Sequence, residues 1–318
     1  MKFELMLQNG NKAYIPVVPN GVTWTTDRKG PGKLNFKVIK DAILDFREGN
    51  PARLIVNGQG VFYGFVFTKK RDKKQHIEVT AFDQIRYLLN KDTYDYKNMT
   101  AADVISMIAA DFNLNMGNIE QTEFMIANRN EQDQTLLDII YNALDLELTN
   151  KKKMYIFYDD FGKLTLKSLD NMKVDVLIDE ESGENFDYTT SIDDQTYNKI
   201  KLTYENEESG KRDVYIAQDG STINAWGVLQ FFDNLNEGEN GAAKADALLS
   251  LYNAKTRRLK ITKAFGDVRV RAGCMVAVKL ALGDINVQNY MLVEHCVHTF
   301  NESEHWMDLT LRGGEFLG

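Results

Sequence analysis

Three of the chain's four histidines and one of its two cysteines fall in one short stretch near the C-terminus, residues 290–311. They are His295, Cys296, His298 and His305. Imidazole and thiolate are the preferred donors for zinc, and three of them with a water in the fourth place make a hydrolytic centre. His295 and His298 are three apart and would share a face only on a helix. Their neighbours Val293, Val297, Thr299 and Phe300 favour a strand, on which the two point opposite ways. With a turn over residues 301–304, Phe300 stands opposite His305 and His298 opposite Met307. Cys296, His298 and His305 then share one face, so one reading is a zinc-dependent hydrolase using those three residues. The competing reading starts from Phe300, Met307 and Leu309, which fall on that same face and make it a packed core in the closing hairpin of a β-barrel.

Other groups that could do chemistry are weaker. Asp159-Asp160 could be paired carboxylates, but they precede Phe161-Gly162 as turn residues do. The acidic run over 179–184 lacks the alternating spacing of a calcium loop. Gly58-x-Gly60 with Gly64 is followed by a strand, where a phosphate-cradling loop needs a helix. Nucleophile-elbow, His-Glu-x-x-His and Cys-x-x-Cys patterns do not occur in the sequence. Trp24, Trp226 and Trp306 could stack on sugars, but single tryptophans on three separate strands read as core.

The elements that would hold these residues follow from composition and period. A 318-residue chain with 43% hydrophobic and 26% charged residues is globular and long enough for two or three domains. No apolar run spans a bilayer, no leader pattern opens the chain, and two cysteines make no disulfide framework, as in a protein made in a cytoplasm. A net charge of −8 excludes a general nucleic-acid binder. The basic clusters at 69–74 and 151–153 are expected in solvated turns between strands.

Residues 1–90 alternate in short strands. Leu34, Phe36 and Val38 share a face, and residues 57–60 close a hairpin because both glycines there accept positive φ. Residues 91–170 change period, with a helix capped by Thr100, a second starting near Asp133, and strands at 154–158 and 163–167. Residues 171–318 return to β, with strands at 199–204 and 212–217 about a turn at 205–210. One helix is inserted at about 238–258, with Ala247, Leu248, Leu251 and Tyr252 on one side. Its basic end, Lys255, Arg257 and Arg258, suits a helix C-terminus. Further strands follow at 259–262, 268–270 and 273–278. The fold class expected is mainly β with an α+β insert: two small antiparallel β-barrel modules flanking a helix-containing domain.

Four stretches then resemble a known family. They are Val22-Thr23-Trp24 with Asp27-Arg28; Thr80-Ala81-Phe82-Asp83-Gln84-Ile85-Arg86-Tyr87; Trp226-Gly227-Val228-Leu229-Gln230; and Gly266-Asp267 through Gly273 to His298, His305 and Met307. In this order they are similar to baseplate hub proteins of contractile phage tails, in the PBSX-type prophage and tailocin branch. Trp226 departs mildly, since a tyrosine is usual there. The resemblance implies a non-enzymatic part with no cofactor. Trp24, Asp83, Arg86, Tyr87, Gly227, Gln230, Gly273, His298, His305 and Met307 would be structural motif residues. It further implies a homotrimeric ring adapting a hexameric tail tube protein to a trimeric spike protein, beside tape-measure and baseplate wedge proteins. The location implied is the baseplate of a virion or tailocin particle assembled in a bacterial cytoplasm, with no membrane and no specific nucleic-acid contact.

Overall fold

The computed structural model describes residues 1–193, 195–206, 211–235, 240–281, 286–302 and 304–313. The first β region contains β1 (Phe3–Asn9), β2 (Lys12–Tyr14), β3 (Val22–Asp27), β4 (Lys33–Ile39), β5 (Pro51–Val56), β6 (Gln59–Arg71) and β7 (His76–Phe82). Alternation sets their faces: Val22, Trp24, Leu34, Phe36, Val38, Ala52, Leu54 and Val56 all point into one core. The β5/β6 hairpin turns on Asn57 and Gly58, at φ 49° and 83°, the mirror-image turn that matches strand twist. Gly60 is there for another reason. A Cβ on it would lie 2.7 Å from the Phe161 ring.

A 3₁₀ turn over Gln84–Leu89 leads into β8 (Lys91–Met99), α1 (Ala101–Asp111), β9 (Met116–Ile119), β10 (Ile126–Thr135), α2 (Leu136–Lys151), β11 (Tyr155–Asp159) and β12 (Leu164–Ser168). Thr100 and Asp103 form a reciprocal capping box on α1. α2 begins at Leu136 and not near Asp133, because Gln134 and Thr135 still pair with Asp92 and Lys91 while Thr135 caps the helix. Lys151–Lys153 therefore end a helix, with Lys152 left-handed, and do not lie in a turn between strands. Glu147 of α2 is fully buried, and its carboxylate accepts backbone N–H bonds from Glu123 and Phe124 at 2.7–3.1 Å.

The last region holds β13 (Lys173–Ile178), β14 (Asn185–Ser191), β15 (Lys199–Asn206), β16 (Lys211–Gln218), α3 (Gly220–Trp226), β17 (Gln230–Asn234), α4 (Gly241–Tyr252), β18 (Thr256–Phe265), β19 (Met275–Ala281), β20 (Asn286–Phe300) and β21 (His305–Gly313). β15, β16 and β17 make a small sheet covered by α4, with its own core of Ile200, Leu202, Ala217, Leu235, Ala245 and Leu248. Several expectations change here. The inserted helix begins at Gly241 behind an Asn240 cap, the start the sequence indicates within the span of about 238–258 (236–239 lie outside the described residues). It ends at Tyr252, however, so Arg257 and Arg258 sit on β18 and complement no helix terminus. Its buried stripe is Gly241, Ala245 and Leu248, since Ala247, Leu251 and Tyr252 are only half-buried. Residues 268–270 are a turn, held by Arg269 N–H donating to Asp267. Trp226 ends α3 and is not on a strand. Of the turn at 205–210, residues 207–210 lie outside the described residues.

The two β regions are joined in one thirteen-stranded sheet, which runs open from β14 through β18, β21, β20, β3, β4, β7, β6, β5 and β1 to β2. Neither half closes into a barrel through the described pairings. The join is the antiparallel pairing of β20 with β3, His298 opposite Trp24. No helix among the described residues is long and apolar enough to cross a membrane.

Replacing Glu147 by Ala removes the acceptor of two part-buried N–H groups and should cost about 2 kcal/mol in urea unfolding. Lys153→Ala, which removes only an exposed ion pair to Glu123, should cost under about 0.5 kcal/mol. Equal losses would show that the buried carboxylate is not what holds the 122–124 segment.

Candidate functional site

The β3/β20/β21 register builds a three-by-three lattice of inward side chains. Thr26, Cys296 and Leu309 form one row, Trp24, His298 and Met307 the next, and Val22, Phe300 and His305 the third. The expected pairings Phe300↔His305 and His298↔Met307 are both present. His295 points the other way, beside Asp27 at 3.3 Å, and its hydrogen bond holds the Asp27 carboxyl below its usual range. Trp24 stacks on His298 with centroids 4.8 Å apart, and Phe300 stacks on His305 at 4.3 Å.

Cys296, His298 and His305 do come together, but both ring nitrogens of the central His298 are already used. His298 Nε2 lies 2.7 Å from the Val270 carbonyl oxygen, which can only accept, so that nitrogen carries the proton. Nδ1 is then the acceptor, and His305 Nε2–H donates to it at 2.8 Å. Cys296 Sγ rests 3.2 Å from the protonated nitrogen. Neither nitrogen of His298 has a lone pair left for a metal. Among the described residues, no group of three or more His, Cys, Asp or Glu side chains is arranged to hold one.

The electrostatics also oppose covalent chemistry. Burial pulls His298 down to about 3 and His305 to about 4, so both stay neutral. Burial pushes the Cys296 thiol well up, and Cys274 to about 11. A reactive cysteine needs the reverse, a thiolate stabilised by a charged neighbour. The hairpin is a neutral hydrogen-bonded chain inside a core. Gly266 is required by it, since a Cβ there would lie 2.1 Å from the His305 ring.

The other motif residues serve a second junction. Asp83 is buried and accepts from Gly32 N–H at 2.7 Å and Ile85 N–H at 3.0 Å, tying the β3/β4 turn to the 3₁₀ turn. Gln84 donates to Asp159 at 3.0 Å, and Asp159 accepts from Gly162 N–H at 2.6 Å. Arg271 donates to the Asp159 carbonyl oxygen at 3.0 Å and lies 4.0 Å over the Tyr158 ring. Burial, and then the charge of Asp159, push the Asp83 carboxyl well up; burial raises Asp159 too. Asp159 ends β11, paired with Leu164, so it is not itself in the turn; its side chain accepts from Gly162 of the turn and is part of a buried junction between all three regions. Gly273, at φ 93°, lets the chain pass Ile156. Arg86 and Tyr87 pack on Phe67.

Gly227 and Gln230 lie apart from both junctions, in the small outer sheet. Asn198, missed in the sequence, holds the segment that joins them: it donates to the Gly227 carbonyl at 2.7 Å and accepts from Leu229 N–H at 2.8 Å. Gln84, Glu147 and Arg271 were missed as well. A polar residue inside an apolar run was the one signal available.

The fold is that of phage tail proteins. The tail protein from Neisseria meningitidis MC58 is 12% identical with a TM-score of 0.72, over 99% of this chain and 98% of that one. The E. coli c3393 protein, described as a component of the type VI secretion system with structural similarity to T4 tail proteins gp27 and gp5, aligns at a TM-score of 0.61 and 10% identity, over 99% of this chain and 78% of that one.

The chain belongs to the YQBQ-like family, whose model matches residues 22–312. It is 28% identical over 271 residues to the phage-like element PBSX protein XkdQ of Bacillus subtilis (strain 168), covering 82% of this chain and 81% of that one. All four stretches that carried the resemblance lie inside the family match.

An imidazole held neutral in the fold is protonated in the unfolded chain below its ordinary value of 6.5. The unfolded state then binds more protons, so stability falls as pH drops from that value towards about 3. Between about pH 8 and pH 5 the loss from His298 alone is about 2 kcal/mol. The drop in urea-unfolding free energy over that range should be smaller by this amount in His298→Phe. Equal drops would show that His298 protonates freely in the fold.

Proposed function

We propose that this chain is a structural hub of a phage-type tail baseplate, three copies forming a ring between tail tube and spike. The observation that carries the reading is family membership over residues 22–312 together with a phage-tail fold over nearly the whole chain. The chemistry supports it. The one cluster that could have been catalytic is neutral and packed, with both ring nitrogens of His298 engaged within the fold.

Symmetry gives the physical logic. A threefold ring matches a sixfold tube only if each subunit offers two near-equivalent patches. Residues 1–90 and 171–318 would be those two barrel-type modules, with 91–170 as the insert domain between them. The open sheet edges at β2 and β14 leave strand positions for neighbours to complete. The ten motif residues from Trp24 to Met307 would then act by packing, without cofactor or metal. A net charge of −8 suits a channel wall that must let DNA or a tape-measure protein slide past. The particle would be a contractile one, phage or tailocin, with the chain residing in its baseplate.

Light scattering on the purified chain, alone and mixed with a tail tube protein and a spike protein from the same source, tests this directly. The expected result is a trimer, formed alone or on mixing, that co-purifies with the tube protein. A chain that stays monomeric and binds neither protein would overturn the reading.

A further inference from the structure

The small outer sheet is finished on one side only. α4 covers the face that carries Ile200 and Leu202. A sheet with its other face in water alternates apolar-in and polar-out, and this one does not. Strand register sets Ile216 and Phe232 on either side of Lys201, and Val214 beside Thr203 in the next row, all on the face away from α4. Ile216, Phe232 and Val214 are 54%, 49% and 48% exposed.

The first β region has a second such place. Ile39 N–H donates to the Val17 carbonyl at 3.1 Å, which holds residues 15–17 beside residues 39–43. Ile15, Val17 and Ile43 in this tip are 64%, 63% and 77% exposed. Single apolar residues on a surface need no explanation, but clustered ones mark a contact.

Charge decides what each place meets. The sheet face carries Lys199, Lys201 and Arg212 against Glu205. Two copies joined face to face would set cation against cation. The tip carries Asp41, Asp45 and Glu48 against Lys40 and Arg47. N–H groups of Leu44 and Ile43 hold the Asp41 carboxyl below its usual range, so it stays charged. The cationic face of one copy thus complements the acidic tip of another, where like patches repel. A contact between two different patches is heterologous and repeats head to tail, which generates a ring where the rotation closes.

We propose that the outer-sheet face of each copy docks on the tip of the next, and that this contact joins the subunits of the ring. Ile216 and Phe232 meet Val17 and Ile43 across it, with Lys201 among the tip carboxylates. The number of copies rests on the hub reading; the choice of the two patches does not.

Sedimentation velocity on the whole chain, alone and with a tail tube protein and a spike protein from the same source, tests this. Wild type should form the trimer in at least one of the two conditions, and the variants are compared there. Ile216→Ser/Phe232→Ser and Val17→Ser/Ile43→Ser should each weaken self-association about a hundredfold, the worth of two partly buried apolar side chains. Met116→Ser/Leu177→Ser, which removes exposed apolar surface elsewhere, should leave it unchanged. Mixing the first two variants restores one intact contact, so a heterodimer that grows no further should form, which also shows that both variants fold. Trimers that survive in both variants, or a mixture that stays monomeric, would overturn this pairing and leave the hub reading standing. A wild-type chain that is monomeric in both conditions would overturn the two together.

Discussion

The molecule depends on one unprotonated imidazole. His298 sits between two cores: Phe300 belongs to the one built by residues 5–81, while Cys296 and Met307 belong to the one built by residues 156–311. A polar ring in that position is tolerated only if each nitrogen is partnered. The Val270 carbonyl and His305 do this, and each partner constrains the chain around it. Using the Val270 carbonyl for the ring keeps residues 268–270 out of a ladder and makes them a turn. Placing His305 over Phe300 requires Gly266 beneath it. Stacking Trp24 on the same ring fixes the β3/β20 register and so welds the first β region to the last.

Much of this local arrangement was legible in the sequence. The hairpin register about Phe300 and His305 followed from period-two alternation, which fixes which side chains share a face once the turn is placed. The Thr100 cap and the residue 199–217 hairpin were equally local. What could not be read is long-range pairing. Nothing in the stretch from Val22 to Asp27 says that its partner is residues 295–300, because alternation names a buried face and not the strand beside it. For the same reason two separate barrels were expected where one sheet runs through both halves, and the small outer sheet with its own core went unrecognised. The basic residues 255–258 misled for a simpler cause. They follow the last helical turn by a few residues, and charge alone does not say whether the chain is still helical.

The candidate site shows the same division. Sequence brought Cys296, His298 and His305 to one face correctly, and could not say whether their nitrogens faced a metal or each other. That depended on a carbonyl twenty-eight residues away. The Asp83, Gln84, Asp159 and Arg271 junction draws on three regions of the chain, so no local pattern announces it. Together the two junctions leave the described β regions and residues 91–170 joined to one another by buried polar contacts.

Native-state hydrogen exchange reads this coupling most directly. If the β3/β20 seam makes one cooperative body, the amides of Trp24 and His298 exchange together, with the slow rate of global unfolding, and no slower set exists in either β region. Amides of residues 1–90 opening at a clearly lower free energy than those of β18, β20 and β21 would contradict the account.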